Sequence, residues 1–315
     1  MRAIRIEKFG GPEVLQLVDI EKPIAGENEV LIRVGAAGIN YADTHQTEDS
    51  YLAPQQLPLI PGAEVVGFDP EGKRVVALVP GGGYAEFVAA PRPLTFEIPD
   101  GVSDGAALAT ILQGTTAWHI LHTCAHIQSG ESVVIHAAAG GVGSYAVQLA
   151  QRLGARVIAT VSSKEKAEVV RSLGVEKIVI AYGSHLAEQI LEMNSGKKVN
   201  VVLEMVGGST FTESLSALAP FGRLVTYGMA SRTQPEPLHA GSLMAHSHAV
   251  IGFWLAHCMS RPGTLLAPVV HELFEMIARR EITPVVGEHW PLESAMTAHQ
   301  QMRSRSTVGK TYLTL

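Results

Sequence analysis

The stretch HAAAGGVGSYAVQLA, residues 136–150, decides the fold. It follows the apolar run Val133-Val134-Ile135 and opens an amphipathic segment, an order that reads as strand, glycine turn, helix. A helix N-terminus presents N–H groups without intrahelical partners and the positive end of the helix dipole. A pyrophosphate can sit there only if no side chain blocks it. The residues run Ala138-x-Gly140-x-x-Gly143, a variant of the dinucleotide fingerprint with alanine at the first glycine position. Gly140 would let the backbone approach the phosphates, and Gly143 would let the helix pack closely on the strand.

Outward from this stretch, the chain alternates. Apolar strands are predicted at 133–137, 156–161, 177–182, 199–206, 223–228 and 249–255, with helices at 142–153, 164–173, 185–194 and 210–219. Strands apolar almost throughout belong in a parallel sheet covered on both faces, and six of them with alternating helices match the doubly wound sheet. Residues 1–100 differ. Short strands, among them Glu29–Val34, Arg74–Val79 and Tyr84–Val88, lie between turns such as Gly10-Gly11-Pro12, Pro61-Gly62 and Gly81-Gly82-Gly83, a pattern of an all-β, barrel-like unit. Between the two regions, 106–112 and 114–126 have helical spacing. After Pro262 come helices at 264–279 and 292–302 and a closing strand at 310–314. That tail is too small to be a domain and is expected to return to the first unit.

The 315 residues are enough for two domains, and 46% hydrophobic with 17% charged residues suits a packed globular protein. The formal net charge of −6 and the lack of a basic stripe argue against nucleic acid as a partner. Two cysteines, Cys124 and Cys258, cannot form a disulfide framework. No stretch approaches membrane-spanning length, and the start, with alternating Ala3-Ile4-Arg5-Ile6, lacks a signal pattern, so a cytoplasmic protein without a membrane partner is expected.

An NAD-selective chain places Asp or Glu at the end of its second strand to hold the ribose 2′-OH. Here that strand, 156–161, is followed by Ser162, Ser163, Lys164 and Lys166. Hydroxyls with a cation suit a 2′-phosphate, so the expected cofactor is NADPH.

The whole chain resembles the zinc-free quinone oxidoreductase branch of the medium-chain dehydrogenase/reductases, which includes the zeta-crystallins. The residues that carry the resemblance are Gly38-Ile39-Asn40-Tyr41-Ala42-Asp43-Thr44, Pro61-Gly62-Ala63-Glu64, Gln113-Gly114-Thr115-Thr116-Ala117, the fingerprint 137–143 and Gly309-Lys310. The resemblance implies an α/β protein: a GroES-like β-rich catalytic domain, 1–113 plus 256–315, with an inserted doubly wound Rossmann domain, 114–255, and the cofactor in the cleft. It implies that Asn40, Tyr41 and Thr44 approach the nicotinamide, with Thr116 beside it. Gly140, Gly141, Val142 and Gly143 would hold the pyrophosphate, and Ser162, Lys166 and Tyr182 would surround the 2′-phosphate. Gly228 to Ser231 and Phe253 would complete the groove, with Arg305 near its mouth. The stretch 228–231 is the loosest match to the family pattern.

Zinc-dependent relatives hold their metal through Cys, His and a further Cys or Asp. Here Asn40 stands at the first position, Ala63 replaces the histidine, and the four-cysteine loop is absent. Glu64 remains as a structural or cleft residue. His119, His122 and His126 are spaced to share a helix face, and His246 and His248 form a second pair, but the expectation is helix-surface or cleft histidines, some satisfied by carbonyls, and no metal.

Without a metal to polarise an alcohol, the expected chemistry is hydride transfer from NADPH to a quinone. The alternatives are reduction of an enone or enoyl thioester, or an NADPH-binding sensor or structural protein with little turnover. Charge developing on the acceptor oxygen needs a donor. Tyr41 is the first candidate, although it could simply pack on the nicotinamide. Asn40 is the second, or fixes the carboxamide. Asp43 is expected to orient backbone. Tyr51 and His45 are further candidates, with a loop at 47–56 that is expected to line the acceptor pocket, and Met244, Phe253 and Trp254 would form its apolar wall or, Trp254 above all, pack in the core. A homodimer through 249–255 is the family expectation.

Overall fold

The computed structural model describes residues 1–50, 52–180 and 185–315. They divide into two units, Met1–Thr115 with Ala256–Leu315, and Thr116–Leu255. In chain order the first carries strands β1 (Arg2–Arg5), β2 (Gln16–Asp19), β3 (Glu29–Ile39), β4 (Glu64–Phe68), β5 (Arg74–Leu78), β6 (Phe87–Pro91) and β7 (Thr95–Glu97). The second carries β8 (Ser132–Ile135), β9 (Arg156–Val161), β10 (Ile178–Ile180), β11 (Val199–Glu204), β12 (Leu218–Thr226) and β13 (Ala249–Gly252). The chain then returns to the first unit with β14 (Val286–Pro291) and β15 (Lys310–Thr314).

The first unit is built on a sheet of order β14-β15-β3-β4-β5-β7, with β6 also on β3. Its pairs are antiparallel except β14 with β15. The first half of β3 alternates, with Val30, Ile32 and Val34 buried and Arg33 exposed. From Ala36 to Ile39 every residue is buried. That buried end delivers Asn40. The core gathers Ile32, Ile39, Val65, Tyr84, Leu292 and Leu313, so the closing segment belongs to this core, as the size of the tail requires.

The second unit is a parallel sheet of order β10-β9-β8-β11-β12-β13. This is the doubly wound order, with β8 and β11 at the point where the winding reverses. Helices Gly141–Arg152 and Lys164–Ser172 each end on Leu-Gly, and Gly154 and Gly174 take φ of 76° and 85°. Their N–H groups bond Gln151 O and Arg171 O, the left-handed stop that glycine adopts without strain. Both βαβ turns are thus punctuated by the same dipeptide.

Several elements differ from the sequence expectation. The strand expected at 84–88 forms at Phe87–Pro91, because Tyr84 is drawn into the core and pairs its backbone with Ile4 and Pro61. The helix expected to 219 ends at Ser216, and β12 begins at Leu218, where apolar side chains serve either element. The helical spacing across 106–126 resolves into α-turns at Asp104–Leu108 and Thr115–His119 alternating with π-turns at Ala109–Gly114 and Ile120–Cys124. His126 lies past the last turn at φ 46°, so it does not share a helix face with His119 and His122. The exposed helix Ala240–His246, which buries no residue, was not legible from apolar spacing. No helix among the described residues is long and apolar enough to cross a membrane.

Candidate functional site

In the second unit, β8 runs into a tight loop. Ala137 takes a left-handed φ of 49°, and its carbonyl accepts the Gly140 N–H at 2.8 Å. Gly140 caps the helix Gly141–Arg152 with extended backbone, and the Ser144 N–H closes the first turn onto Gly140 O at 2.9 Å. The N–H groups of Gly141, Val142 and Gly143 therefore precede the helical ladder and face out of its N-terminus. A Cβ on Gly143 would overlap the Ala137 carbonyl oxygen and stand 2.8 Å from Ala138 Cα. Glycine is required there by the approach of helix to strand end.

Ser162 is exposed directly after β9. Ser163 caps the helix Lys164–Ser172 by accepting the Lys166 N–H at 3.3 Å, and the Lys166 side chain is half-buried in that first turn. Tyr182 lies outside the described residues. Beyond β12, Ala230 and Ser231 donate N–H to Met205 O and Val206 O, tying the stretch from Gly228 to Ser231 to the loop after β11. That loop is held by Glu204, whose Oε1 accepts the N–H groups of Val206 at 2.6 Å and Gly207 at 2.8 Å. Burial pushes the Glu204 carboxyl up to about 7. Thr116 is buried, and Phe253 stacks on His119 at 5.8 Å. Trp254 is half-buried, whereas Met244 is 79% exposed.

In the first unit, four separate sequence motifs meet in one buried polar cluster. Gly38 has no Cβ where the Glu64 carboxylate lies. Asn40 Nδ2 donates to Glu64 Oε1 at 3.0 Å. Asn40 Oδ1 accepts from Gln113 Nε2 and from Lys310 Nζ, each at 3.2 Å. Lys310 also donates to Ile39 O at 3.2 Å and forms an ion pair with Glu64, both side chains being fully buried. Gly309 at φ 54° packs so tightly on Val285 that a Cβ would stand 2.7 Å from its carbonyl carbon, and this turn sends Lys310 inward.

Behind Asn40, the Asp43 carboxylate accepts the Asn40 N–H at 2.8 Å and the Tyr84 hydroxyl at 2.9 Å. The Tyr84 hydroxyl also meets His299 Nε2 at 3.1 Å. With Tyr84 donating to Asp43, His299 is the donor to Tyr84 and carries its proton on Nε2. Burial raises Asp43 to about 7, helped by the Glu64 charge, against the Asn40 N–H, Lys310 and Tyr84, which lower it. Tyr41 begins the short helix Tyr41–Gln46, half-buried, with its ring edge-on to His45 at 5.6 Å. Thr44 is buried and donates its hydroxyl to Tyr41 O at 2.7 Å. Tyr51 lies outside the described residues, and Arg305 is exposed at φ 58°.

Comparison with known proteins agrees with both halves. The alcohol dehydrogenase GroES-like domain family matches residues 26–100, and the zinc-binding dehydrogenase family matches residues 141–271. The quinone oxidoreductase of Pseudomonas aeruginosa is 32% identical over 323 residues, covering 99% of each chain. The chain belongs to the medium-chain dehydrogenase/reductase superfamily, on its quinone oxidoreductase branch. Members of known structure include the quinone oxidoreductase of Escherichia coli complexed with NADPH, with a TM-score of 0.93 at 32% identity. That of Thermus thermophilus, also studied as its NADPH complex, has a TM-score of 0.88 at 37% identity. Each alignment covers all of both chains. The protein is accordingly an oxidoreductase of mixed α/β architecture, with GroES-like and Rossmann parts.

The zinc-dependent members of the superfamily set the contrast for the metal. Among the described residues no group of three His, Cys, Asp or Glu is placed to hold an ion. His119 Nδ1 pairs with Thr123 Oγ1, and His122 Nδ1 with Trp118 O. The rings of His246 and His248 stack at 5.3 Å. Cys258 is buried, and burial pushes the Cys124 thiol up.

Gln113, Glu64 and Lys310 fall within the sequence motifs, but nothing in the spacing of those motifs shows that they converge on Asn40. Tyr84, His299 and Glu204 stand outside every motif. Tyr84 follows a glycine run and reads as strand. His299 sits on an ordinary amphipathic helix. Glu204 reads as the polar end of an apolar strand.

Proposed function

We propose that this chain is an NADPH-dependent, zinc-independent oxidoreductase that reduces quinones. The observation that carries the reading is the Asn40 amide. It is 5% exposed and held on three sides, with one N–H left for an acceptor oxygen and an ammonium where a metal ligand set would need open donors. The family relatives named quinone oxidoreductase, two of them solved with NADPH, support the cofactor and the acceptor class.

The second unit fits the cofactor. The free N–H groups of Gly141, Val142 and Gly143 suit a pyrophosphate. Ser162 follows β9 and Lys166 lies in the first turn of the next helix, an arrangement that suits a 2′-phosphate. When bound, NADPH supplies hydride. The chain's own part is electrostatic. The Asn40 N–H, or the Tyr41 hydroxyl, donates to the acceptor oxygen as it gains negative charge, and a proton from solvent completes the hydroquinone.

Zinc does not fit the first unit. Asn40 offers an amide oxygen already taken by two donors, Ala63 offers nothing, and Glu64 is neutralised by Lys310. In this reading residues 1–113 with 256–315 form the catalytic domain and 114–255 the dinucleotide domain. β13 ends the parallel sheet, so pairing of that edge across a two-fold axis would make a homodimer. The pI near 6.1 and two cysteines that are not joined in a disulfide suit the cytoplasm.

The test follows NADPH oxidation without added metal against a panel of quinones and enones, with NADH and a chelator as controls. Chelator-insensitive turnover of quinones with NADPH is the expected result. Turnover of enones alone would move the reading to alkene reduction. Tight NADPH binding with no acceptor reduced would replace it with a binding protein.

A further inference from the structure

We propose that Lys310 is a positioning residue. Together with Glu64 it fixes the Asn40 amide in one orientation and makes Asn40 an obligate hydrogen-bond donor toward the acceptor oxygen or the nicotinamide carboxamide. The inference rests on the function proposed above for its catalytic consequence, but not for its structural content.

An asparagine amide has two faces that differ only in which end accepts and which donates. Its neighbours choose between them only if they cannot themselves reverse. Gln113 can reverse, since it too is an amide and its Oε1 is buried without a hydrogen-bond partner. Lys310 and Glu64 cannot. The ammonium only donates, and the ionised carboxylate only accepts.

Lys310 spends its three hydrogens on Ile39 O, Asn40 Oδ1 and Glu64 Oε1, and is fully buried. Turning the Asn40 amide over would set its NH2 against that ammonium and its oxygen against the Glu64 carboxylate. The main chain of Asn40 is pinned as well, its N–H on Asp43 Oδ2 and its C=O accepting the Asp43 N–H at 3.0 Å. With Oδ1 occupied twice and one Nδ2 hydrogen on Glu64, the second Nδ2 hydrogen is what Asn40 can offer. An oxygen acceptor is therefore recognised at this position, and a donor group is refused. A lysine 270 residues away in sequence thus sets the chemistry of a residue that no ligand contact of its own would explain.

The test uses the full-length protein labelled with 15N-asparagine. The chain has four asparagines, Asn28, Asn40, Asn194 and Asn200, so the carboxamide signals are few, and Asn40→Ala assigns the one of interest. Lys310→Met alone strands Glu64 in the core and can fail to fold. The double variant Lys310→Met/Glu64→Gln removes both charges at similar volume and is the informative protein. The expected result is that its Asn40 carboxamide hydrogens exchange with water about tenfold or more faster than in the wild type. Whether the Asn40 donor meets the acceptor oxygen or the nicotinamide carboxamide, kcat for quinone reduction falls about tenfold or more, and NADPH affinity, read by fluorescence, falls with it only in the second case. Unchanged Asn40 exchange in the double variant overturns the proposal. So does faster exchange with kcat within about twofold of the wild type, since the amide would then be oriented to no effect. A wild type that reduces no acceptor sinks the quinone reading instead, and the exchange measurement still decides whether Lys310 orients Asn40.

Discussion

The Tyr84 hydroxyl donates to the Asp43 carboxylate at 2.9 Å, joining two fully buried residues 41 positions apart. Its oxygen in turn takes the proton of His299 Nε2, so one phenol satisfies an acid and an imidazole in a core that water does not reach. Tyr84→Phe removes one hydroxyl and leaves both partners short. The expected loss is about 2 kcal/mol of unfolding free energy, because His299 Nε2 loses its partner in the core and the Asp43 carboxylate keeps only the Asn40 N–H. Urea unfolding of the purified variant measures it, and a change under about 0.5 kcal/mol would show that the link carries no stability.

Four buried titrating groups make the pH dependence of stability specific. Burial holds His136 and His299 down to about 4, from an ordinary 6.5. Their contribution is complete above pH 6.5 and is lost as pH falls through 4. Burial raises Asp43 and Glu204 to about 7, from 3.8 and 4.5. Their contribution is complete below about pH 4 and is lost as pH rises through 7. Between about pH 4.5 and 6.5 the unfolded chain binds more protons at the two histidines and fewer at the two carboxyls, so the slopes oppose. Stability is expected to be nearly flat there, with a small rise from His248, which partial burial lowers as well. Glu204→Gln removes one opposing group. Its stability should then climb with pH by up to about 1.4 kcal/mol per unit across the window. A flat curve in Glu204→Gln would contradict the assignment.

The two fingerprint glycines should fail differently. Gly140 has φ −80°, open to any residue, and a Cβ there would meet only the Ala137 oxygen at 3.1 Å. Gly140→Ala is expected to keep the fold and, in the proposed reading, to weaken NADPH binding about tenfold or more by setting a methyl group where the backbone approaches the pyrophosphate. Gly143→Ala pushes into Ala137 and Ala138 and should lower both the melting temperature and NADPH affinity. Fluorescence titration beside thermal unfolding separates the two. Equal loss of stability in both variants would mean that Gly140 serves the loop rather than the ligand.

The doubly wound order was legible because each of its parts is local. Strands β8 and β9, the fingerprint and the Leu153-Gly154 and Leu173-Gly174 stops each carry their signal within about fifteen residues. The Asn40 cluster was not, because its meaning lies in contacts across 24, 73 and 270 residues. Motifs named Gly38, Glu64 and Lys310, but nothing in their spacing shows that the absent Cβ of the first makes room for the second, or that the third neutralises it. One contact of Asp43, the Asn40 N–H three residues away, lies within reach of local sequence. Tyr84 and His299 had no such neighbour.

In the proposed reading, cofactor choice hangs on Lys166. Its backbone N–H is bound by the Ser163 cap at 3.3 Å, so Lys166→Ala keeps the cap and the helix while removing the ammonium. A charge-assisted bond to a phosphate contributes about 1.5–3 kcal/mol. NADPH affinity should therefore fall about tenfold to a hundredfold while NADH affinity stays level. The loss should also shrink as salt is raised, because screening weakens in the wild type the attraction that the variant has already lost. Titrations of both nucleotides at two salt concentrations measure all of this. Equal weakening of NADPH and NADH would place Lys166 away from the 2′-phosphate, and the preference for NADPH would then rest on Ser162 and its neighbours.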